Sequence, residues 1–316
     1  MSAKSFLHPH VLKAVKTNLV DSPSNRGFIE AVEDATQFLD DQPARFSFRF
    51  HLRPVPQLMG MTRVEAFSEA LREIYGWLGF MSFGTTYRTR ELLSGIVTGL
   101  NETRYTLAML ASRALLELAA VWSPLPAQIA PQLENLDQLD SLPFHTANAD
   151  TRIAQNYARI IWEPWDAIRR LLTKGRFNWE LALRHDAELF TKYREVPEAR
   201  RQAKLTRLIG NLRFDGPVPP GATPQFWYAI LSEFVHPDPA ASVMNVDRAE
   251  PEGPNSIRFA LAATPSENSD LAQVTVNVIG IPVRESLRIT KDCITSLRNL
   301  MDEHGHRLQR LGIYRA

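Results

Sequence analysis

Cysteine is almost absent. Cys293 is the only one in 316 residues, which excludes an internal disulfide and a cysteine-based zinc site and leads to the expectation of a reducing, cytoplasmic setting. Net charge is nearly absent as well: 36 Lys and Arg stand against 35 Asp and Glu, for a formal charge of +1. That excludes a globally basic nucleic-acid binder and confines any polyanion contact to a local patch. Lysine occurs only at positions 4, 13, 16, 174, 192, 204 and 291, so the basic residues are mostly arginine. Its planar guanidinium binds carboxylate or phosphate at two points and stays charged when buried. Gly-rich phosphate loops, dinucleotide fingerprints, HExxH, internal repeats and low-complexity tracts are all missing, so no cofactor and no metal are expected. Met1–Val20 carries Lys4, Lys13 and Lys16 and has no continuous apolar segment, unlike a secretory signal. The longest apolar stretch, Tyr105–Trp122, is interrupted by Arg113 and Glu117. It reads as a buried helix of a soluble protein and implies no membrane.

What is present is an ordinary globular composition, 44% apolar and 22% charged, enough for a proper core. Three stretches are expected to pack as one compact unit: 1–60 with short helices and one basic strand, 61–238 as a helical bundle, and 239–316 with a β-hairpin and a C-terminal helix. Within the first, Gly27–Asp40 has helical periodicity, and Arg45–Arg53 (RFSFRFHLR) alternates strictly, predicting a half-buried strand with Arg45, Arg49, His51 and Arg53 on its exposed face. Met61–Phe80 starts a helix. Tyr87–Trp122 is one long helix or two, weakened at Gly95 and Gly99, and the helix that follows Asp150 is expected to kink or break at Pro164. Thr223 as cap and Pro224 at the first helical position begin a helix that Pro237 stops after His236. Two alternating runs, SIRFALAA and AQVTVNVIG, within residues 255–281 predict a hairpin, with the 45–53 strand as a third member. Glu285–Leu311 ends the chain as an amphipathic helix with Ile294, Leu297, Met301, His304, Leu308 and Leu311 along its seam.

Two helices carry the residue types from which chemistry is built. The segment Pro224–His236 is apolar almost all round, yet Tyr228, Ser232 and His236 recur every four residues along one stripe about 80° wide. Each needs a hydrogen-bond partner if buried. Arg113 and Glu117 form a second polar stripe among Leu, Ala and Met. An Arg preceding a Glu by four is the weaker order for an exposed helix pair, so burial and outside partners are expected, and the two stripes are predicted to touch. In the catalytic reading His236 is the general acid or base poised by Glu117, Arg113 holds a phosphate, and Ser232 and Tyr228 complete the site. In the structural reading the same residues form a satisfied network that fixes helix register.

The helix element Arg113-Ala-Leu-Leu-Glu117 followed by Tyr228-Ala-Ile-Leu-Ser232-Glu-Phe-Val-His236-Pro237 resembles a group of bacterial helical proteins that are themselves similar to the HEPN superfamily. The matching elements cover about 140 residues, from Tyr87 to Asp238. The resemblance implies a mainly α, HEPN-like bundle and an effector or toxin-type component of a bacterial antiviral defence system, acting on RNA as a metal-independent ribonuclease. One departure weakens the enzymatic part. The family's ribonucleases carry Arg, four to six residues, then His, and here only Arg45 to His51 and Arg298 to His304 have that spacing. The first pair falls on the predicted strand. The second lies six apart on a helix, about 240° round the axis, and faces different sides.

Dense basic character occurs on the strand face Arg45, Arg49 and Arg53 and along a helical segment with Arg200, Arg201, Lys204 and Arg207. These are the candidate nucleic-acid contacts. RNA or a nucleotide, a protein partner, or a second copy in a homodimer are the partners considered. The rivals to the RNA-acting effector are a non-catalytic helical interaction subunit and a nucleotide-ligand sensor. His304 and His306 sit two apart on a helix and do not face each other, so they make no metal site.

Overall fold

A computed structural model describes residues 6–18, 26–48, 60–173, 205–235, 242, 244–254, 256–262 and 271–313. Among them are eight α-helices and one two-stranded antiparallel sheet near the C-terminus. The helices are α1 (Pro9–Asn18), α2 (Arg26–Asp40), α3 (Arg63–Asn101), α4 (Tyr105–Trp122), α5 (Leu125–Glu134), α6 (Thr151–Thr173), α7 (Pro224–Val235) and α8 (Leu271–Arg310). The strands are β1 (Val246–Gly253) and β2 (Ser256–Leu261). The mainly helical class with a small C-terminal sheet is therefore as the sequence indicates.

The chain packs as two compact units that interleave in sequence. One comprises Met1–Gln42, Thr86–Trp122 and Gln202–Lys291; the other comprises Pro43–Thr85, Ser123–Arg201 and Asp292–Ala316. Each of the three sequence stretches thus contributes to both. In the first unit, Val11, Phe28, Val32, Ile96, Leu100, Met109, Leu115, Leu231, Val276 and Ile279 belong to one apolar core drawn from α1, α2, α3, α4, α7 and α8. In the second, aromatic packing dominates. Trp77 lies 5.6 Å from Trp165, Phe67 lies 5.7 Å from Tyr157, and the Trp165 indole donates to the buried Glu73 carboxylate at 3.0 Å.

Helix starts follow local chemistry. Thr62 and Glu65 form a reciprocal capping box at the head of α3, with Thr62 N donating to Glu65 at 2.7 Å and Glu65 N to Thr62 Oγ1 at 3.2 Å. Thr223 Oγ1 accepts from Phe226 N at 3.2 Å, and Pro224 opens α7. The stretch 87–122 is two helices, and the break falls at 102–104 rather than at the glycines, with Thr103 at φ 56°. Before it, α3 runs unbroken for 39 residues. Pro164 does not break α6.

Three expectations need correction. Residues 272–280 are not a strand: they belong to α8, which begins at Leu271 instead of Glu285 and runs for 40 residues through Pro282. Its apolar positions fit both periods, and packing decided between them. Leu271, Ala272, Thr275, Val276 and Ile279 are buried at helical spacing on one core-facing side, and that burial outweighs the β preference of the valines. The true partner of β2 is β1, with Phe259 opposite Ala249 and Ile257 opposite Pro251. A run holding Asp247, Pro251, Glu252 and Gly253 gave no apolar alternation to detect.

The third strand is also absent where it can be assessed, since residues 45–48 form no strand. Arg49, His51 and Arg53 lie outside the described residues. The alternation of Phe46 and Phe48 serves a different purpose, because both rings pack on α3. A Cβ at Gly79 would run into the Phe46 ring, and Phe46 also stacks on Phe83 at 4.6 Å. Gly79 is thus the notch that seats Phe46. Gly79→Val is expected to lift the segment and cost on the order of 1–3 kcal/mol, read as a lower denaturation midpoint.

Candidate functional site at α4 and α7

Helix α4 is apolar enough over a sufficient length to cross a bilayer, yet nine of its residues, from Tyr105 to Ala120, are buried in the protein. Arg113 and Glu117 border that buried stripe. Against them stands α7, which is less enclosed than its composition implies: only Pro224, Trp227 and Leu231 are buried, while Phe226 is 45% exposed. Tyr228 lies at the edge of this face and reaches α4.

The three side chains close a triangle. Arg113 Nη2 donates to the Tyr228 hydroxyl at 3.0 Å, that hydroxyl donates to Glu117 Oε1 at 3.1 Å, and Arg113 Nε lies 3.3 Å from the same carboxylate oxygen. The guanidinium carbon sits 5.0 Å from the Tyr228 ring centroid, within cation–π range. The cluster is not sealed, for the Arg113 and Glu117 side chains keep 21% and 31% of their exposure.

Among the described residues Ser232 does not join it. The Ser232 hydroxyl turns back to donate to the Tyr228 carbonyl at 2.6 Å, a bond within its own helix. His236 lies outside the described residues, as do Arg200, Arg201 and Lys204. Arg45 and Arg207 are both exposed. His304 is a core residue, accepting and donating within the protein. Among the described residues no group of three His, Cys, Asp or Glu is placed to hold a metal ion. A cleft of about 340 Å³ in the second unit lies beside the first turns of α3 and α6. The N–H groups there are taken by Glu65 and by Asp150, which accepts from Arg152 N at 2.8 Å, so those helix starts offer no vacant anion cradle.

Two polar networks were not foreseen from the sequence. In the first unit the buried Arg284 and Glu285 pair at 2.9 Å. Glu285 also accepts from Asp215 N at 3.1 Å, and Arg284 donates to the Pro217 carbonyl at 3.1 Å. Arg288 adds bridges to Glu285 at 3.3 Å and to Asp215 at 3.0 Å. Burial pushes the Glu285 carboxyl up, but Arg284 and the backbone N–H groups of Asp215 and Gly216 outweigh it, so the net shift is downward. Gly216 leaves the room this requires, since a Cβ there would sit 2.5 Å from Arg284 Nη2. In the second unit, His304 Nε2 lies 2.8 Å from the Leu71 carbonyl, Arg307 Nη1 lies 3.3 Å from His304 Nδ1, and Arg307 pairs with Asp137. The only sequence signal for the first network was two adjacent charges, Arg284 and Glu285, set between Val283 and Leu287.

Fold and site together define a mainly helical protein with a half-open Arg–Tyr–Glu cluster bridging two helices. Comparison with family models, curated proteins and solved structures finds no match to this chain.

Proposed function

We propose that the chain is a soluble, cytoplasmic interaction subunit in which Arg113, Glu117 and Tyr228 clasp α7 to α4 and perform no chemistry of their own. What supports this is that the three side chains pair with one another, although Arg113 Nε makes no hydrogen bond. One carboxylate takes up both the guanidinium and the phenol, and the Ser232 hydroxyl is committed to its own backbone. Tyr228→Phe removes two hydrogen bonds to charged groups and is expected to lower stability by about 1–3 kcal/mol. Any binding activity should then fall only in step with the folded fraction, measured by circular dichroism and denaturant titration. An activity lost from a fully folded variant contradicts the clasp.

A second reading has one observation in its favour. The cluster remains partly open to solvent, so a phosphate can approach Arg113, and this suits the RNA-acting, HEPN-like defence effector that the sequence resembles. Cleavage of varied RNAs by the purified chain, abolished by Arg113→Ala in a folded variant, would replace the first reading with this one. Intact RNA after prolonged incubation removes it.

A further inference from the structure

The first unit holds a cleft of about 240 Å³ between α2 and α3, away from the clasp. Its walls follow helix spacing. Arg90, Ser94 and Thr98 recur every four residues along α3, and Thr36 and Asp40 do the same on α2, so each set occupies one helix face. The buried Leu39 and Leu93 and the half-buried Val97 supply an apolar wall. The volume falls below the roughly 300–1,000 Å³ of drug-sized ligand sites and suits a small metabolite rather than a nucleotide.

Two opposite charges line this cleft and do not meet. Arg90 Nη2 donates to the Leu39 carbonyl and so closes the last turn of α2, while Arg90 Nε is buried without an acceptor. Among the described residues no carboxylate pairs with this guanidinium, and no cation pairs with Asp40. Asp40 is exposed and ends α2, where the helix macrodipole disfavours a carboxylate. Helix stability therefore does not account for it. The Ser94 and Thr98 hydroxyls also have no partner among the described residues. Thr36 donates to the Val32 carbonyl at 2.7 Å and keeps its oxygen lone pairs. The cleft thus presents a cation, an anion and hydroxyls beside an apolar wall.

We infer that this cleft binds a free α-amino acid with a branched aliphatic side chain. Its carboxylate sits on Arg90, its ammonium on Asp40, and its side chain against Leu39, Leu93 and Val97. Spacing selects this class. Arg90 Nη2 rests on the carbonyl of the residue next to Asp40. The guanidinium and the carboxylate therefore lie beyond ion-pair reach, yet within one peptide unit and one Asp side chain of each other, below about 9 Å. An α-amino acid holds its own two charges about 3 Å apart. A hydrogen bond of about 2.9 Å at each end lets it bridge about 6–9 Å, depending on how far the line is bent. A longer ω-amino acid overshoots that gap, and a lone carboxylate or amine leaves one of the two charges unpaired. The Ser94 and Thr98 hydroxyls can donate to the ligand carboxylate from the α3 side. The inference goes beyond the interaction-subunit reading by giving the subunit a ligand, and it does not depend on the clasp.

Thermal unfolding of the full chain with L-leucine at about 10 mM tests this, and calorimetric titration gives the affinity. L-leucine is expected to raise the melting temperature. Isocaproate lacks the ammonium, isoamylamine lacks the carboxylate, and γ-aminobutyrate holds its charges further apart; each should bind at least about tenfold more weakly. Asp40→Asn removes the charge at an exposed position and keeps the shape, so the variant should fold as the wild type does and bind L-leucine at least about tenfold more weakly. Arg90→Lys can still donate to the Leu39 carbonyl but loses the guanidinium fork, and a similar loss is expected. A melting temperature unmoved by L-leucine, L-isoleucine and L-valine alike overturns the proposal. So does isocaproate binding as tightly as L-leucine, or an Asp40→Asn variant with unchanged affinity. None of these outcomes bears on the clasp, which fails separately if RNA cleavage depends on Arg113.

Discussion

Glu285→Ala is expected to destabilise the protein by about 3–5 kcal/mol, because it removes one partner of a buried pair and leaves the Arg284 guanidinium charged and without its carboxylate. The two side chains keep only 10% and 2% of their exposure, so water cannot take over. The loss reaches beyond the ion pair. Glu285 also holds the 213–217 turn through Asp215 N, and freeing that turn exposes the underside of α8. Urea titration of the wild type and variant reads the effect directly as a lower midpoint. Sign matters for pH. A carboxyl held below its usual range contributes stability that is present above the unfolded value and lost as pH falls through the folded one. The wild type should therefore lose stability on the acid side of the ordinary carboxylate range, and the variant should lack that component.

The second large effect belongs to His304 and occupies a different window. The ring is completely buried, and burial first, then the neighbouring Arg307 charge, push it down to about 4 in spite of the Leu71 carbonyl. Its geometry fits the neutral ring with the proton on Nε2: that nitrogen donates to Leu71, and Nδ1 accepts from Arg307. The unfolded chain takes up a proton near pH 6.5 while the folded one resists until about 4. Between those values the unfolded state binds more protons, so stability falls as the solution is acidified, by about 3 kcal/mol in all. His304→Gln can make the same two hydrogen bonds and does not titrate. It should flatten the stability profile across that window, whereas an unchanged slope would assign it to other groups.

These two networks also show where sequence reasoning stopped. The helical class, the Thr223–Pro224 start of α7 and the seam Ile294, Leu297, Met301, His304 and Leu308 could be read because caps and 3.6-residue spacing are local signals. The meeting of Tyr228 with Arg113 and Glu117 was also legible, since polar residues in apolar helices need partners from elsewhere. Ser232 misled because its spacing is equally suited to bonding back within α7. The run 272–280 misled because Val274, Val276 and Val278 alternate as a strand would, and only the core that α8 meets reveals which period holds. Arg284 and Glu285 gave no warning for a similar reason. Their partners are backbone groups of a turn about 70 residues earlier in the chain, and no spacing rule reaches that far.

The interleaving of the two units has a practical consequence for anyone who cuts the chain. Because each unit is assembled from three separated segments, with α3 and α8 passing through the boundaries near 85 and 291, no single truncation point yields either one intact. A fragment ending at Trp122 lacks the α7 and α8 residues of the first core. One beginning at Gln202 lacks α1, α2 and α4. Expression of halves is expected to give insoluble or unfolded material, and folding must wait until the last third of the polypeptide has been synthesised.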